Sequence, residues 1–184
     1  RGLGDVYKRQ VINIVHGYGD SAGHEIVKMA DVISFTGGTE TGKLIASHAA
    51  INFKKFSLEL GGKNPVIVFD DADLNRALDA VIFMIYSING ERCTSSSRLL
   101  LQSTIREEFE QKLVARVRNI RVGHPLDPTT EIRPLIAQDH FEKVTRFFDI
   151  ALSEGATIVA GGTTIGDSGY FVAPTLFTHA TNDM

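Results

Sequence analysis

An α/β fold with parallel strands is what this chain predicts, on three observations. Short apolar runs of strand length recur at residues 32–35, 56–60, 65–69 and 98–102. Longer stretches with apolar residues at helical spacing separate them, and glycine-rich turns sit where a run gives way to a helix. Strand, turn and helix in alternation require crossover connections, which join parallel strands.

In order along the chain, residues 1–10 match nothing that follows in pattern or composition and read as a non-native leader outside the fold. Residues 11–15 (Val-Ile-Asn-Ile-Val) read as a buried strand, and residues 16–20 as a turn. Ser21 is placed to cap a helix running through Lys28 and Met29. Residues 32–35 form a second strand that leads into a glycine turn and a helix carrying Leu44, Ile45, Ala46, Ala49 and Ala50. Residues 56–60 are a third strand, closed by Gly61 and Gly62, so one unit is expected over residues 11–62 and another over residues 63–184. The second unit opens with a strand at 65–69. Asp70, Asp71 and Asp73 then start a helix that runs from about Leu74 towards Ser87, acidic in its first turn as the helix dipole prefers. A strand at 98–102 follows, then a charged amphipathic helix at 105–120, a loop at 123–128 and a helix at 138–153. Strands at 157–160 and 170–177 complete the series.

The 184 residues have 43% hydrophobic and 22% charged content, ordinary for a globular protein with a real core. A net charge of −3 gives no electrostatic reason to expect nucleic acid or an anionic membrane surface as partner. No apolar stretch reaches the roughly 20 residues needed to span a bilayer. A single cysteine excludes an internal disulfide framework and suits a reducing cytoplasm.

That cysteine, Cys93, lies in the polar segment Asn-Gly-Glu-Arg-Cys-Thr-Ser-Ser-Ser-Arg, just after an apolar run. Arg92 and Arg98 beside it would favour the thiolate, which is the nucleophilic form. The bland alternative is a buried structural thiol. Glu59 lies in an apolar, expectedly buried strand, where desolvation would raise its pKa towards that of a general base; the alternative is a solvent-facing carboxylate. Two glycine segments, Gly17-x-Gly19-x-x-x-Gly23 and Gly37-x-x-x-x-Gly42, each follow a strand and open a helix. Backbone N–H groups meet phosphate in that setting, although neither segment is a GxGxxG fingerprint. Cys93 and Glu59 would also serve an acyl-transferase or thioester hydrolase, which has no use for the glycine segments, and a non-enzymatic α/β binding module is the third possibility.

Three segments in this order resemble signatures of the aldehyde dehydrogenase superfamily: residues 35–42 (Phe-Thr-Gly-Gly-Thr-Glu-Thr-Gly), 58–65 (Leu-Glu-Leu-Gly-Gly-Lys-Asn-Pro) and 90–93 (Gly-Glu-Arg-Cys). The Glu59-to-Cys93 separation, 93 − 59 = 34 residues, also matches, as do residues 122–127 and 169–175. The resemblance runs from Val11 to Met184. It implies part of a Rossmann-like cofactor-binding domain followed by part of the α/β catalytic domain. It also implies an NAD(P)-dependent enzyme, NAD first and NADP open, that acts on a small-molecule aldehyde as a homodimer or homotetramer. On this resemblance Cys93 attacks the aldehyde, its backbone N–H forms half of an oxyanion hole, and Glu59 activates the water that hydrolyses the thioester. Gly37, Gly38, Thr39, Glu40, Thr41 and Gly42 approach the pyrophosphate, with Gly19 and Asp20 nearby and Leu60 beside the nicotinamide. No metal is implied.

Some positions depart from the family pattern. Gly38 stands where many members carry serine, Glu91 and Arg92 replace glutamine and a small or apolar residue, and Arg133 stands at a usual glycine, at a cost of about 1 kcal/mol if that residue has φ > 0. The oxyanion-hole asparagine and the ribose-binding lysine and glutamates have no counterpart in the sequence, so an internal fragment carrying half of a site is expected, inactive by itself. The segment around Cys93 and residues 121–128 look most like members that oxidise carboxylated semialdehydes in bacterial aromatic breakdown. Arg92 would attract such a dianion. Betaine-aldehyde and broad-specificity members are the alternatives.

Overall fold

The computed structural model describes residues 10–184, so the leader expected over residues 1–10 falls outside the described residues apart from Gln10. Contacts divide the chain after Gly62 into two units.

The first unit is built on a parallel pair, β1 (Val32–Gly37) and β2 (Lys55–Leu60), paired from Val32 opposite Lys55 to Gly37 opposite Leu60. Helix α2 (Thr39–Ile51) makes the crossover between them. Its Ile45 and Ala49 pack with Ile33, Phe35 and Leu58 into a small core that Val27 and Ala30 extend. Helix α1 (His24–Met29) lies against α2: His24 meets His48, in the last turn of α2, edge to face at 4.9 Å. Lys54 closes the C-terminal end of α1 by donating to the carbonyls of Val27 (2.8 Å) and Lys28 (2.6 Å), where the helix dipole favours a cation.

Two expectations fail here. Residues 11–15 form no strand; Val11, Ile12, Ile14 and Val15 are all more than half exposed. A strand exists only when its backbone pairs with a neighbour, and no partner lies among the described residues. Ser21 does not cap a helix from outside either. It sits within a π-helical turn (Gly19–Gly23) that precedes α1, and its hydroxyl donates to the Tyr18 carbonyl at 3.3 Å.

The second unit, Lys63–Met184, holds a larger core. β3 (Asn64–Val68) and β4 (Ser96–Leu101) pair in parallel across helix α3 (Leu74–Tyr86). Asp73 accepts from the backbone N–H groups of Asn75 (3.1 Å) and Arg76 (3.2 Å), so the last of the three acidic residues is the N-cap. Helix α4 (Arg106–Arg118) presents Phe109, Leu113 and Val117 at four-residue spacing, one face of a helix. All three are essentially solvent-free and meet Leu78 and Val81 of α3 and Val68 of β3. Helix α5 (Gln138–Ser153) follows, with the bounds its periodicity predicts.

The strands β5 (Thr157–Ala160) and β6 (Leu176–Thr178) pair antiparallel, unlike the other two pairs. The strand expected over 170–177 is cut to its last residues because Pro174 has no N–H to donate to a ladder. Before it the backbone makes only a single bridge, Thr164 to Val172. No helix is long and apolar enough to cross a membrane, and no cluster of three or more potential metal ligands occurs among the described residues.

Candidate active site

Strand alternation places the first of the two predicted catalytic residues, Glu59. In β2, Leu58 and Leu60 face α2: Leu58 joins the core, and a Cβ on Gly42 would stand 2.6 Å from a Leu60 methyl. Alternation along a strand then turns Glu59 to the opposite face. Glu59 is exposed within its unit, not buried as the apolar strand suggests, because β1 and β2 carry a helix against one face only. Leu60 is thereby committed to Gly42, whose missing side chain lets helix and strand approach closely.

The glycine segment Gly37–Gly42 spans the C-terminal end of β1 and the first turn of α2. Gly38 is the N-cap in extended conformation, with no side-chain cap, and Thr39, Glu40 and Thr41 are exposed. The uncapped N–H groups of a helix start at the end of a parallel strand make an anion-binding position, and these residues fit a dinucleotide phosphate. Glu40 pairs with Lys43 at 2.8 Å. Gly19 and Asp20 lie in the π-helical turn leading to α1, which packs on the far end of α2, and no hydrogen bond joins either to the Gly37–Gly42 turn.

Cys93 belongs to the second unit. Its thiol is exposed, on a tight turn closed by the Ser95 N–H donating to the Arg92 carbonyl at 2.9 Å, one turn before β4. The bland alternative of a buried thiol therefore fails. The lead-in is strained: Ile88 (φ 51°, ψ 47°), Asn89 (φ 55°, ψ 17°) and Gly90 (φ 71°) are consecutive left-handed residues. For a β-branched residue this conformation is a genuine outlier, and such outliers persist only where surroundings impose them.

The surroundings are supplied by three distant segments. Asn89 Oδ1 accepts from the Arg133 N–H at 3.2 Å, and its Nδ2 donates to the Pro134 carbonyl at 3.3 Å. Glu91 pairs with His140 of α5 at 3.0 Å. Asn64, at the start of β3, donates from Nδ2 to the carbonyls of Cys93 (2.9 Å) and Ser95 (3.1 Å). Asn64 and Asn89 lie in segments singled out for Glu59 and Cys93, but nothing in the sequence gives them or His140 a role. Only the parallel register, with Asn64 opposite Ser96, reveals that the start of β3 meets the Cys93 turn.

Arginine does less here than charge suggests. The Arg92 guanidinium turns onto Phe83, 4.7 Å from the ring centre, and donates to the Phe83 carbonyl at 3.2 Å, while Arg98 donates to the Lys63 carbonyl at 3.0 Å. Arg92 is thus engaged at the C-terminal end of α3, where the helix dipole favours a cation. Arg133 is not among the left-handed residues, so the expected strain there is absent. Ser95 and Ser96 are buried, and their hydroxyls, with Arg92 Nε, lack hydrogen-bond partners. Each such group is destabilising by about 1–3 kcal/mol, and all three lie in or beside the Cys93 turn.

Comparison with known proteins fits this arrangement. The sequence profile described as "Aldehyde dehydrogenase family" matches residues 7–184. The 5-carboxymethyl-2-hydroxymuconate semialdehyde dehydrogenase of Escherichia coli is 51% identical over 83% of this chain and 32% of its own length. An aldehyde dehydrogenase from Bacillus cereus, solved with NAD+, superposes with a TM-score of 0.92 at 38% identity, over 95% of this chain and 36% of that one. Betaine aldehyde dehydrogenase from Staphylococcus aureus, solved with NAD+ and with one cysteine modified by BME, gives 0.91 at 41% identity, over 94% and 36%. The chain spans about a third of the length of the curated relatives it matches. Its helices and parallel strand pairs are those of the α/β aldehyde dehydrogenase fold. With a family profile over nearly all of its length, this chain belongs to the aldehyde dehydrogenase family.

Proposed function

We propose that the protein containing this chain oxidises an aldehyde to a carboxylic acid, with residues 11–62 serving the cofactor-binding domain and residues 63–184 the catalytic domain. The observation that carries the proposal is the Cys93 thiol, exposed on a turn that its neighbours hold in place. The sulfur attacks the carbonyl carbon, and negative charge develops on the oxygen. The Cys93 N–H is the protein's own donor to it, a contribution of ~10²–10³ in rate in comparable sites. NAD, when bound, supplies the acceptor for the hydride whose departure leaves a thioester on Cys93. Glu59 takes a proton from water, the oxygen adds to the thioester carbon, and the C–S bond breaks to free the thiol. Gly37, Gly38, Thr39, Glu40, Thr41 and Gly42 would cradle pyrophosphate through the free amides of the helix start, the Gly42 N–H itself being bonded to the Gly38 carbonyl, with Gly19, Asp20 and Leu60 as further contacts along the same cofactor. NAD rather than NADP is favoured by the NAD+ complexes of two structural relatives.

As substrate we favour a carboxylated semialdehyde, on the 51% identity to the E. coli enzyme. The Arg92 side chain, engaged by Phe83, lends no support to that choice. The test is kcat/KM of the full-length protein on a carboxylated semialdehyde, betaine aldehyde and propanal, with NAD and with NADP. Preference for the carboxylated substrate, abolished by Cys93→Ala, is expected. Preference for betaine aldehyde or propanal moves the protein to the other branches. Undiminished turnover in Cys93→Ala overturns the mechanism.

A further inference from the structure

We propose that Asn64 is the positioning residue of the nucleophile turn, an assignment that rests on Cys93 being the nucleophile. One amide nitrogen carries two N–H donors, and both are committed here, to the carbonyls of Cys93 and Ser95. These carbonyls flank the residue after the thiol, so a single rigid group spans the turn. A trans peptide is planar and sets its C=O opposite the next N–H. Holding the Cys93 carbonyl towards Asn64 therefore turns the Thr94 N–H to the far side. The amide plane that follows the nucleophile is fixed in the same stroke.

The reason that a side chain does this work lies in β3. Pro65 has no N–H, and the ladder shifts register between Asn64 and Pro65. The start of β4 thus finds no main-chain donor opposite the Cys93 turn, and the Asn64 side chain takes the place of that rung. The only backbone bond within the turn is Ser95 N–H to the Arg92 carbonyl. Without Asn64, the turn keeps that bond, the Asn89 bonds to Arg133 and Pro134 in its lead-in, and the Glu91–His140 pair, an exposed contact worth little in water.

The experiment uses the 184-residue chain as wild type, Asn64→Asp and Asn64→Ala, with two readouts. The first is hydrogen exchange of the Ser95 amide relative to core amides of Phe109 and Val117. The second is the rate of Cys93 alkylation by iodoacetamide as a function of pH. Asp has the shape of Asn but, ionised, no donor. Near neutral pH both variants should lose Ser95 protection by about tenfold, the equivalent of one hydrogen bond, with the core amides unchanged. As pH falls through the carboxylate range, Asn64→Asp regains one O–H donor, and part of its Ser95 protection should return while Asn64→Ala stays unprotected. A residue that only fills space predicts no such recovery. Unchanged Ser95 exchange in both variants overturns the proposal, and so does failure of Asn64→Asp to recover on protonation, even if the core amides loosen as well. Alkylation separates this from the underlying assignment. Wild-type Cys93 reacting no faster than a free cysteine removes its role as nucleophile, whereas the Ser95 readout still decides whether Asn64 holds the turn.

Discussion

Replacing Tyr86 by Phe tests how the second unit is held at the point where α3 hands over to the Cys93 segment. Tyr86 is the last residue of α3 and is 8% exposed, and its hydroxyl donates to the Thr175 carbonyl at 3.1 Å. Burial pushes the hydroxyl's pKa well above the ordinary tyrosine value of about 10. The folded state therefore retains a proton that the unfolded chain releases above pH ~10, and stability that is fully present below that pH is lost as pH rises. One proton corresponds to about 1.4 kcal/mol per pH unit, so the wild type should lose about 1.4 kcal/mol by roughly pH 11 from this residue alone. Phe has no such proton. It does leave the Thr175 carbonyl without its donor, a loss of about 1 kcal/mol at neutral pH. The two stability curves should cross between about pH 10 and pH 11. Urea unfolding of both proteins at closely spaced pH values, followed by far-UV circular dichroism, reads the crossing directly. Parallel curves up to about pH 11 would show that Tyr86 titrates normally in the fold and refute the burial argument.

Phe109→Ala should destabilise the second unit by about 3–5 kcal/mol, since Phe109 is fully buried against α3; loss of less than about 1 kcal/mol in chemical denaturation would mean that this core is loosely packed. Ile88→Gly should leave stability unchanged or raise it by up to about 1 kcal/mol, because relief of a left-handed β-branched residue offsets glycine's entropy. Ile88 is 64% exposed, so little burial is lost, and a clear destabilisation would contradict the strain. Gly161→Ala should destabilise by more than about 1 kcal/mol: its φ is +69°, and a Cβ there would collide with the Pro174 carbonyl and stand 2.6 Å from Thr175 Oγ1.

Elements with long, regular apolar spacing were legible in the sequence. The helix at Gln138–Ser153 and the strand at Thr157–Ala160 have the bounds that periodicity predicts, and the parallel pairs follow from the alternation of strand and helix. Residues 11–15 misled because an apolar run signals burial only if something covers it. The antiparallel β5–β6 pair was invisible because pairing direction depends on a long irregular connection that has no period. At the site, Cys93 stood out by chemistry, as a lone thiol in a polar segment. Its supports did not, because Asn64, Asn89 and His140 are ordinary polar residues whose importance arises from where strand register and helix packing bring them. Arg92 is the converse case: its charge is adjacent to Cys93 in sequence, while its side chain lies on Phe83.

The tethers of the Cys93 turn also fix when in the life of the chain that turn can take shape. Its partners lie on both sides in sequence, Asn64 before it and Arg133, Pro134 and His140 after it. On a ribosome the thiol is made 140 − 93 = 47 residues before the last of them, roughly 2–9 s at ~5–20 residues per second. Through that interval the β3 side of the clasp exists and the α5 side does not. A nascent or truncated chain ending before Arg133 would hold the same cysteine from the β3 side alone, through Asn64, with the Ile88–Gly90 lead-in untethered. The tethered geometry of the Cys93 turn would thus be acquired late in synthesis, set by the distance along the chain to the loop at Arg133–Pro134 and the helix that carries His140.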